Sequence, residues 1–179
     1  MSAATDHTCQ GKGRLITIQR ITIENMSVFK AVRLEALRES PTAFGSTHAR
    51  EAAFPESEWL VRLERWSGDK GVGFLAMNEG TPCGIAGALL DLEDMSRAQL
   101  VSMWTAPTHR KQGVGRLLVN AVLYWAKQRQ VKTLSLMVTS PNDSATRFYE
   151  RLGFAKTGRT EPYPNDPAIF EYEMAQPLL

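Results

Sequence analysis

The residues with the clearest chemical potential lie between Leu100 and Arg116, where two glycines stand among basic side chains. A strand-like run ends there, a turn containing proline follows, and Gly113 and Gly115 open a long helical pattern. A helix start presents unpaired backbone N–H groups and a positive dipole end, and a glycine there lets a ligand reach the backbone. Positive charge is added by Arg110, Lys111 and Arg116. The stretch therefore predicts a cradle for a pyrophosphate.

Two familiar nucleotide-binding loops fit this stretch poorly. A Walker loop requires Gly-Lys followed by Ser or Thr, whereas Gly115 is followed by Arg116 and Leu117. A dinucleotide-binding fold places its glycine-rich turn after the first strand of a parallel sheet, whereas these glycines follow three hairpin-like strands. An ordinary helix start with solvated basic side chains is the alternative that the local pattern leaves open.

Hydrophobic periodicity predicts seven strands and four helices around this stretch. The predicted strands are Leu15–Ile21, Val72–Asn78, Cys83–Leu92, Ala98–Thr105, Thr133–Val138, Phe154–Gly158 and Ala168–Met174. The predicted helices run from Asn25 to Arg38, from Pro55 to Trp66, from the two glycines through Trp125, and from Asp143 to Leu152, with a loop over Thr42–Phe54. This order predicts an α/β (α+β) fold built on a mixed sheet.

Composition is that of one ordinary globular unit. The chain has 179 residues, of which 43% are hydrophobic and 22% are charged, and its net charge is +2. We predict a single domain over residues 15–179, preceded by a mobile tail over residues 1–14. So small a net charge argues against a nucleic-acid partner. The longest apolar run, Ile85 to Leu90, is far too short to span a membrane, and no secretory signal is found.

Cysteine and histidine usage argues against a metal or redox centre. Cys9 and Cys83 lie far apart without a CxxC partner, and the three histidines are equally scattered. Because free thiols are typical of a reducing compartment, we expect a cytoplasmic protein without a metal.

Two signatures in this chain resemble those of the GNAT superfamily of N-acetyltransferases. Arg110-Lys-Gln-Gly-Val-Gly115 is similar to its coenzyme A-binding motif, Arg/Gln-x-x-Gly-x-Gly/Ala, and Leu100–Pro107 matches the strand before it. The run from Asn142 to Phe154 resembles the second signature, Asn-x-x-Ala-x-x-x-Tyr-x-x-x-Gly-Phe. The resemblance extends over roughly Leu15 to Met174 and implies a twisted mixed sheet whose fourth and fifth strands splay apart.

The resemblance also implies roles for individual residues toward acetyl-coenzyme A. The pantetheine arm would lie in the splay and pair with the backbone of Met103, Trp104 and Thr105. The pyrophosphate would be bound by the motif, that is by Arg110 and the backbone N–H groups of Lys111, Gln112, Gly113, Val114, Gly115 and Arg116. Asn142 would donate a hydrogen bond to the pantetheine, and Tyr149 would lie near the sulfur and protonate the leaving thiolate.

Each of these last two residues also has a structural explanation. Tyr149 could be a packing residue, since it shares an apolar helix face with Ala145, Phe148 and Leu152. Asn142 could be the N-cap of the same helix, and this role is compatible with a ligand contact.

The general base and the acceptor pocket are less well determined. Asp91, Glu93 and Asp94 could face the acceptor, although a solvated acidic turn explains them better, and His109 adjoins the phosphate loop rather than the thioester. A chain of water molecules is the remaining alternative for the base. For the pocket we name Phe44, Ser46, Trp59 and Tyr163.

Strand alternation predicts how the residues before the cradle are oriented. It places Leu100, Ser102 and Trp104 on one face of the sheet, and Val101, Met103 and Thr105 on the other.

The resemblance implies transfer of an acetyl group from acetyl-coenzyme A to a primary amine, by direct attack in a ternary complex. The absence of an accessory docking domain favours a small-molecule acceptor. Many relatives in the family are dimers, so the resemblance also leaves a homodimer open. Two alternatives remain: a non-catalytic coenzyme A-binding sensor or regulatory module, and an interaction protein that binds no cofactor.

Overall fold

A computed structural model describes residues 9–11 and 14–178, which form eight strands in one mixed sheet. The strands are β1 (Cys9–Gly11), β2 (Arg14–Arg20), β3 (Gly71–Asn78), β4 (Thr81–Leu90), β5 (Arg97–Thr105), β6 (Thr133–Thr139), β7 (Ala155–Tyr163) and β8 (Asp166–Pro177). Their order across the sheet is β1-β2-β3-β4-β5-β6-β8-β7, and among these described strands only β5 and β6 pair in parallel. The predicted mixed α/β fold is confirmed. The predicted tail lies largely outside the described residues, but within it β1 pairs with β2.

Five α-helices accompany the sheet in the described ranges, one more than predicted. They are α1 (Met26–Glu39), α2 (His48–Ala52), α3 (Glu56–Ser67), α4 (Val114–Gln128) and α5 (Asp143–Glu150). The additional helix, α2, lies in the predicted loop and starts at Thr47, whose hydroxyl accepts a hydrogen bond from the Arg50 N–H at 3.2 Å. A five-residue helix is too short to leave a periodic pattern in the sequence. None of the described helices is long and apolar enough to cross a membrane.

Two apolar cores lie on the opposite faces of the sheet. The helices α4 and α5 cover one face, where Leu118 of α4 and Tyr149 of α5 belong to the same buried cluster as Leu136. The helices α1 and α3 cover the other face, where Phe29 and Trp59 are buried together with β3 and β4 side chains. Because both faces are covered, the central strands are apolar along almost their whole length.

The strands β5 and β6 separate partway along their length. Their ladder pairs Arg97 with Thr133 and ends where Gln99 pairs with Ser135, although both strands continue beyond that point. These are the predicted fourth and fifth strands, so the predicted splay is confirmed. Beyond Gln99, the β6-facing edge of β5 has no strand partner in the described part of the chain.

A bulge interrupts β5 in the same region. Ile85 of β4 pairs with Trp104 and Gly87 pairs with Val101, so Ser102 and Met103 together face a single β4 residue. Ser102 has a φ of +57°, an unusual backbone angle for a residue other than glycine.

The bulge corrects the orientations predicted from simple alternation. Leu100 and Met103 pack against the α4 core, whereas Val101 and Trp104 pack against the α1–α3 core. Trp104 and Leu100 were predicted to share a face, and that prediction is wrong, because the extra residue inverts the alternation between them. The Ser102 hydroxyl is left on the α1–α3 side, where it accepts a hydrogen bond from Arg33 Nη1 at 3.3 Å.

Candidate active site

The predicted phosphate cradle is an open turn at the start of α4. Gly113 precedes the helix with a φ of +87°, and a Cβ atom added there would meet nothing within 4 Å. The backbone N–H groups from Lys111 to Arg116 have no hydrogen-bond partner among the described residues. Unpaired N–H groups at an open helix start are the arrangement that binds phosphate oxygens.

The side chains of residues 111–116 do not fill the predicted cradle. Lys111 and Arg116 are exposed, and the Gln112 amide donates a hydrogen bond to the Thr108 carbonyl at 2.8 Å, which braces the turn. Val114 is buried in the α4 core. The cradle is therefore formed by backbone groups, with two cations free to approach a ligand from solvent.

The Arg110 side chain lies away from the cradle. Its Nε donates to the Thr105 carbonyl at 3.0 Å, and its Nη2 contacts the Glu39 carboxylate at the end of α1. Trp104 Nε1 donates to the same carboxylate at 2.9 Å. Burial acts to raise the pKa of Glu39, but hydrogen bonds from Ser40, Trp104 and Arg110 outweigh it, so the pKa lies below its usual value. Arg110 thus ties the end of β5 to α1, and only its backbone adjoins the predicted pyrophosphate site.

Gly115 lies where α4, β5 and α5 approach one another. A Cβ atom added at this position would lie 3.1 Å from Met103 Cε and 3.1 Å from Phe148 Cζ. The absence of a side chain therefore lets the start of α4 sit close to the strand that carries the unpaired edge.

The predicted pantetheine contacts Met103, Trp104 and Thr105 occupy the part of β5 that β6 leaves unpaired. The Trp104 side chain is buried on the α1–α3 side, so only its backbone can reach a ligand in the splay. The Thr105 carbonyl already accepts a hydrogen bond from Arg110.

Asn142 is the N-cap of α5, which confirms the structural role predicted for it. Its Oδ1 accepts a hydrogen bond from the Ala145 N–H at 3.1 Å. Its Nδ2 has no hydrogen-bond partner within the described part of the chain. The two roles considered for Asn142 are therefore compatible, since one amide atom caps the helix while the other remains available.

Tyr149 lies on α5 with its ring packed edge-on against Phe148 and Phe154. The side chain is 7% exposed and lines a cavity between the splayed strands and the α1–α2 segment. Its phenol has no hydrogen-bond partner in the described ranges. Burial raises the pKa of Tyr149 above its usual value, so the phenol keeps its proton at neutral pH. Packing and a chemical role are therefore compatible, since the ring is packed in the core and the residue lines the cavity.

This cavity, which we call the acceptor cavity, has a volume of about 340 Å³. Its lining includes Phe44 and Ser46, two of the four predicted acceptor residues. Tyr163 does not line it, but its hydroxyl lies 2.7 Å from the Phe44 carbonyl oxygen and so holds that loop in place. Trp59 is fully buried against Phe29 and does not reach the acceptor cavity. The structure therefore brings two predicted residues to the cavity, makes a third a support, and places the fourth in the core.

Sequence reasoning missed a buried ion cluster in the wall of the acceptor cavity. Glu51 of α2 is fully buried, and its two oxygens accept hydrogen bonds from Arg33 Nε at 2.9 Å and Nη2 at 2.8 Å. Arg62 Nη1 lies 3.2 Å from Glu51 Oε1. Burial acts to raise the pKa of Glu51, but the hydrogen bonds and charge of Arg33, with smaller contributions from Ser46 and then Arg62, outweigh it and lower the pKa. A signal was present, because Arg33 stands on the apolar face of α1 between Phe29 and Leu37.

Glu171 of β8 is a second residue that sequence reasoning missed. Its half-buried carboxylate lines the acceptor cavity and has no ionic partner among the described residues. It stands opposite Glu161 in the β7–β8 ladder. Burial first, and then the charge of Glu161, raises the pKa of Glu171. No local pattern marks this residue, because its position beside Tyr149 depends on the pairing of β8 with β6.

The base candidates named from sequence have structural roles instead. Asp91 accepts a hydrogen bond from the Glu93 N–H at 2.9 Å, and Asp94 accepts one from the Ser96 hydroxyl at 2.7 Å, as in an acidic turn. His109 Nε2 lies 3.0 Å from the Asn78 amide nitrogen in the loop before the cradle. Across residues 9–11 and 14–178, His, Cys, Asp and Glu form no cluster that could hold a metal ion.

The comparisons with known proteins agree with this geometry. The model of the acetyltransferase (GNAT) family matches residues 34–154. An uncharacterized N-acetyltransferase of Methanocaldococcus jannaschii is 24% identical over 144 residues, which cover 77% of this chain but only 60% of that protein. The ribosomal protein bS18-alanine N-acetyltransferase of Escherichia coli is 31% identical over 116 residues, or 64% of this chain and 75% of that protein.

A solved structure extends the agreement to the fold. The GNAT-family acetyltransferase from Streptococcus pneumoniae superposes with a TM-score of 0.75 over 92% of this chain and 99% of that chain. Its sequence identity is 20%, so this likeness concerns the fold alone. Because the family model spans more than half of the residues, and both signatures lie on the elements that form the site, the chain belongs to the acetyltransferase (GNAT) family.

Proposed function

We propose that this protein transfers an acetyl group from acetyl-coenzyme A to a primary amine, with both substrates bound at once. The observation that carries the proposal is that the strand-free edge of β5 and the unpartnered Tyr149 phenol meet at one cavity. Family membership supports the same reaction, because its members are acetyltransferases.

The chain offers a matching set of groups for the acetyl donor. The N–H groups of residues 111–116 can donate to a pyrophosphate at the start of α4. The backbone of Met103 and Trp104 can pair with the pantetheine amides as an added strand would. Asn142 Nδ2 can donate to the same arm. These groups lie at the start of α4, on the part of β5 beyond its ladder with β6, and at the start of α5, and together they suit a long, polar cosubstrate.

Two side chains of the acceptor cavity suit the proton transfers. Acetyl-coenzyme A supplies an acetyl thioester, which a neutral amine attacks directly, without a covalent enzyme intermediate. Tyr149 holds a proton beside the cavity, and we assign to it the protonation of the departing sulfur. Glu171 is an unpaired carboxylate with a raised pKa, and we assign to it the removal of a proton from the incoming ammonium. The two groups line the same cavity, where both substrates would meet.

The decisive experiment measures thiol release from acetyl-coenzyme A across a panel of primary amines. We expect saturable turnover with at least one amine and acetyl-coenzyme A binding by calorimetry. Binding without turnover on any amine would favour a coenzyme A sensor or regulatory module instead. No binding of coenzyme A at all would overturn the proposal.

The acceptor is proposed to be a small molecule, since about 340 Å³ is near the lower end of the roughly 300–1,000 Å³ of small-molecule sites. The relative named for an alanine of ribosomal protein bS18 makes N-terminal peptides a necessary arm of the panel. We further propose that the protein acts in the cytoplasm, which cell fractionation tests. We leave open whether the protein forms a homodimer, and its molar mass measured by light scattering in solution tests this.

A further inference from the structure

The walls of the acceptor cavity carry one cation whose ionic partner is shared and one carboxylate without an ionic partner among the described residues. Its charged lining consists of two arginines and two glutamates: Arg33, Glu51, Arg62 and Glu171. Arg33 and Glu51 satisfy each other through two hydrogen bonds of 2.8 and 2.9 Å. Arg62 is then left as a surplus cation on one wall, and Glu171 as a surplus anion on another.

Arg62 is held in place but only partly used. Its guanidinium lies 4.8 Å from the centre of the Phe54 ring and 5.9 Å from that of Trp59. Glu51 Oε1 is the one carboxylate oxygen within 4.0 Å of it in the described part of the chain. A guanidinium has five N–H donors, and this contact engages one nitrogen, so most of the donors remain available. The side chain is 29% exposed, which keeps it within reach of a ligand in the cavity.

The electrostatics of the cluster favour an added anion beside Arg62. The cluster of Arg33, Glu51 and Arg62 holds two positive charges and one negative charge. Burial acts first to lower the pKa of Arg62, and the Arg33 charge adds to this; together they outweigh the opposing charges of Glu51 and Glu58, so the cation is only partly compensated. A carboxylate at this wall would remove that cost and could accept two parallel hydrogen bonds from the guanidinium.

We propose that the acceptor is an amine that also carries a carboxylate, with the carboxylate bound by Arg62 and the ammonium facing Glu171. This inference rests on the proposed function, and it specifies the class of amine. Arg62 is a substrate-binding residue here, and Glu51 is a positioning residue that keeps Arg33 from competing for the same anion. A zwitterion matches the cavity because its carboxylate can pair with Arg62 and its ammonium with Glu171.

The test compares acceptors that differ only in the carboxylate. The probes are alanine, alaninamide and ethylamine, and the longer series 4-aminobutyrate, 4-aminobutanamide and propylamine. The wild-type protein should prefer the carboxylate member of at least one series by roughly 10- to 100-fold in kcat/KM, the range expected for a charge-assisted hydrogen bond. Equal kcat/KM for all members of both series would overturn the inference. So would a higher kcat/KM for peptides that begin with alanine than for the free amino acids, if it does not depend on the rest of the peptide sequence.

Variants of α3 separate recognition from folding. In Arg62→Gln the carboxylate acceptor should lose roughly 10- to 100-fold, mainly in KM, while the carboxyl-free amine changes by less than about twofold. Arg62→Lys should recover part of the loss. Arg65→Gln is the matched control, because Arg65 is exposed on the same helix and does not line the cavity. An equal loss for both acceptors in Arg62→Gln would assign Arg62 to structure alone and overturn the inference.

The outcomes distinguish this inference from the function on which it rests. Turnover that is indifferent to the carboxylate rejects the inference and leaves the acetyltransferase proposal standing. Absence of turnover with every amine rejects both. Melting temperature and acetyl-coenzyme A affinity, measured for each variant, show whether the fold is retained. If Arg62→Gln does not fold, the wild-type preference and the Arg62→Lys variant still decide the question.

Discussion

Replacing Gly113 with alanine should separate the cofactor cradle from the stability of the fold, and the chain contains a matched control. Gly113 has a φ of +87° and Gly80 a φ of +82°, and a Cβ added at either position meets nothing within 4 Å. Gly80 lies in the turn between β3 and β4, away from the site. The two substitutions therefore impose the same backbone strain without a clash, and only one of them adds a methyl group at the start of α4.

The expected cost to stability is equal in the two variants. A residue other than glycine in the left-handed region costs about 1–2 kcal/mol. For a chain of this length, each kcal/mol lowers the melting temperature by roughly 2–4 °C, so both variants should melt about 2–8 °C below the wild type. Thermal unfolding monitored by circular dichroism measures this.

The expected cost to binding falls on Gly113→Ala alone. The added methyl would stand before N–H groups that have no partner among the described residues, and would displace a phosphate from at least one of them. One charge-assisted hydrogen bond is worth about 1.5–3 kcal/mol, so the Kd for acetyl-coenzyme A should rise roughly 10- to 100-fold. Titration calorimetry measures this Kd. Equal affinity in Gly113→Ala and Gly80→Ala would refute the cradle, and equal losses would show that strain alone is responsible.

Three further predictions follow from the acceptor cavity. Tyr149→Phe should lower kcat by at least about tenfold with little change in acetyl-coenzyme A affinity or melting temperature, because the phenol has no protein partner to lose; full activity would limit Tyr149 to packing. Glu51→Gln should cost about 3–5 kcal/mol in urea unfolding, because it leaves the buried guanidinium of Arg33 and the partly exposed one of Arg62 without their shared carboxylate. Since the pKa of Glu51 is lowered, its contribution is present at neutral pH and is lost as the pH falls through that pKa; a loss of stability only above neutrality would contradict this. The fall of kcat/KM toward acidic pH should follow the pKa of Glu171. Because the Glu161 charge raises that pKa, Glu161→Gln should shift the fall to lower pH. An unshifted profile would exclude Glu171 as the base.

The features that could be predicted from the sequence are those encoded by neighbours along the chain. The predicted cradle is one turn of backbone before a helix, so Gly113, Gly115 and the neighbouring basic residues were enough to predict where that turn lies. Asn142 and Tyr149 lie seven positions apart at the start and within one short helix, so their spacing in the sequence is enough to recognise the second signature. Sequence patterns likewise predicted all seven main strands, and the central ones are marked by short apolar runs because both of their faces are covered.

The orientation of β5 was decided only by the tertiary structure. Alternation predicted one face for Leu100 and Trp104, but the bulge at Ser102 and Met103 inverts it. A bulge is defined by how many residues the partner strand presents, and β4 is a separate segment of the chain. No pattern within β5 contains that information.

The charges of the acceptor cavity depended on the fold for a similar reason. Arg33 on the apolar face of α1 indicated a buried partner, but its identity as Glu51 followed only from the docking of α2 against α1. Glu171 reaches the cavity because β8 pairs with β6 across the splay. By itself the sequence determined the turn that can hold a phosphate and the helix that carries Tyr149. The charges around the acceptor come from segments distant in sequence, and a charge has a partner only once packing has brought the two together.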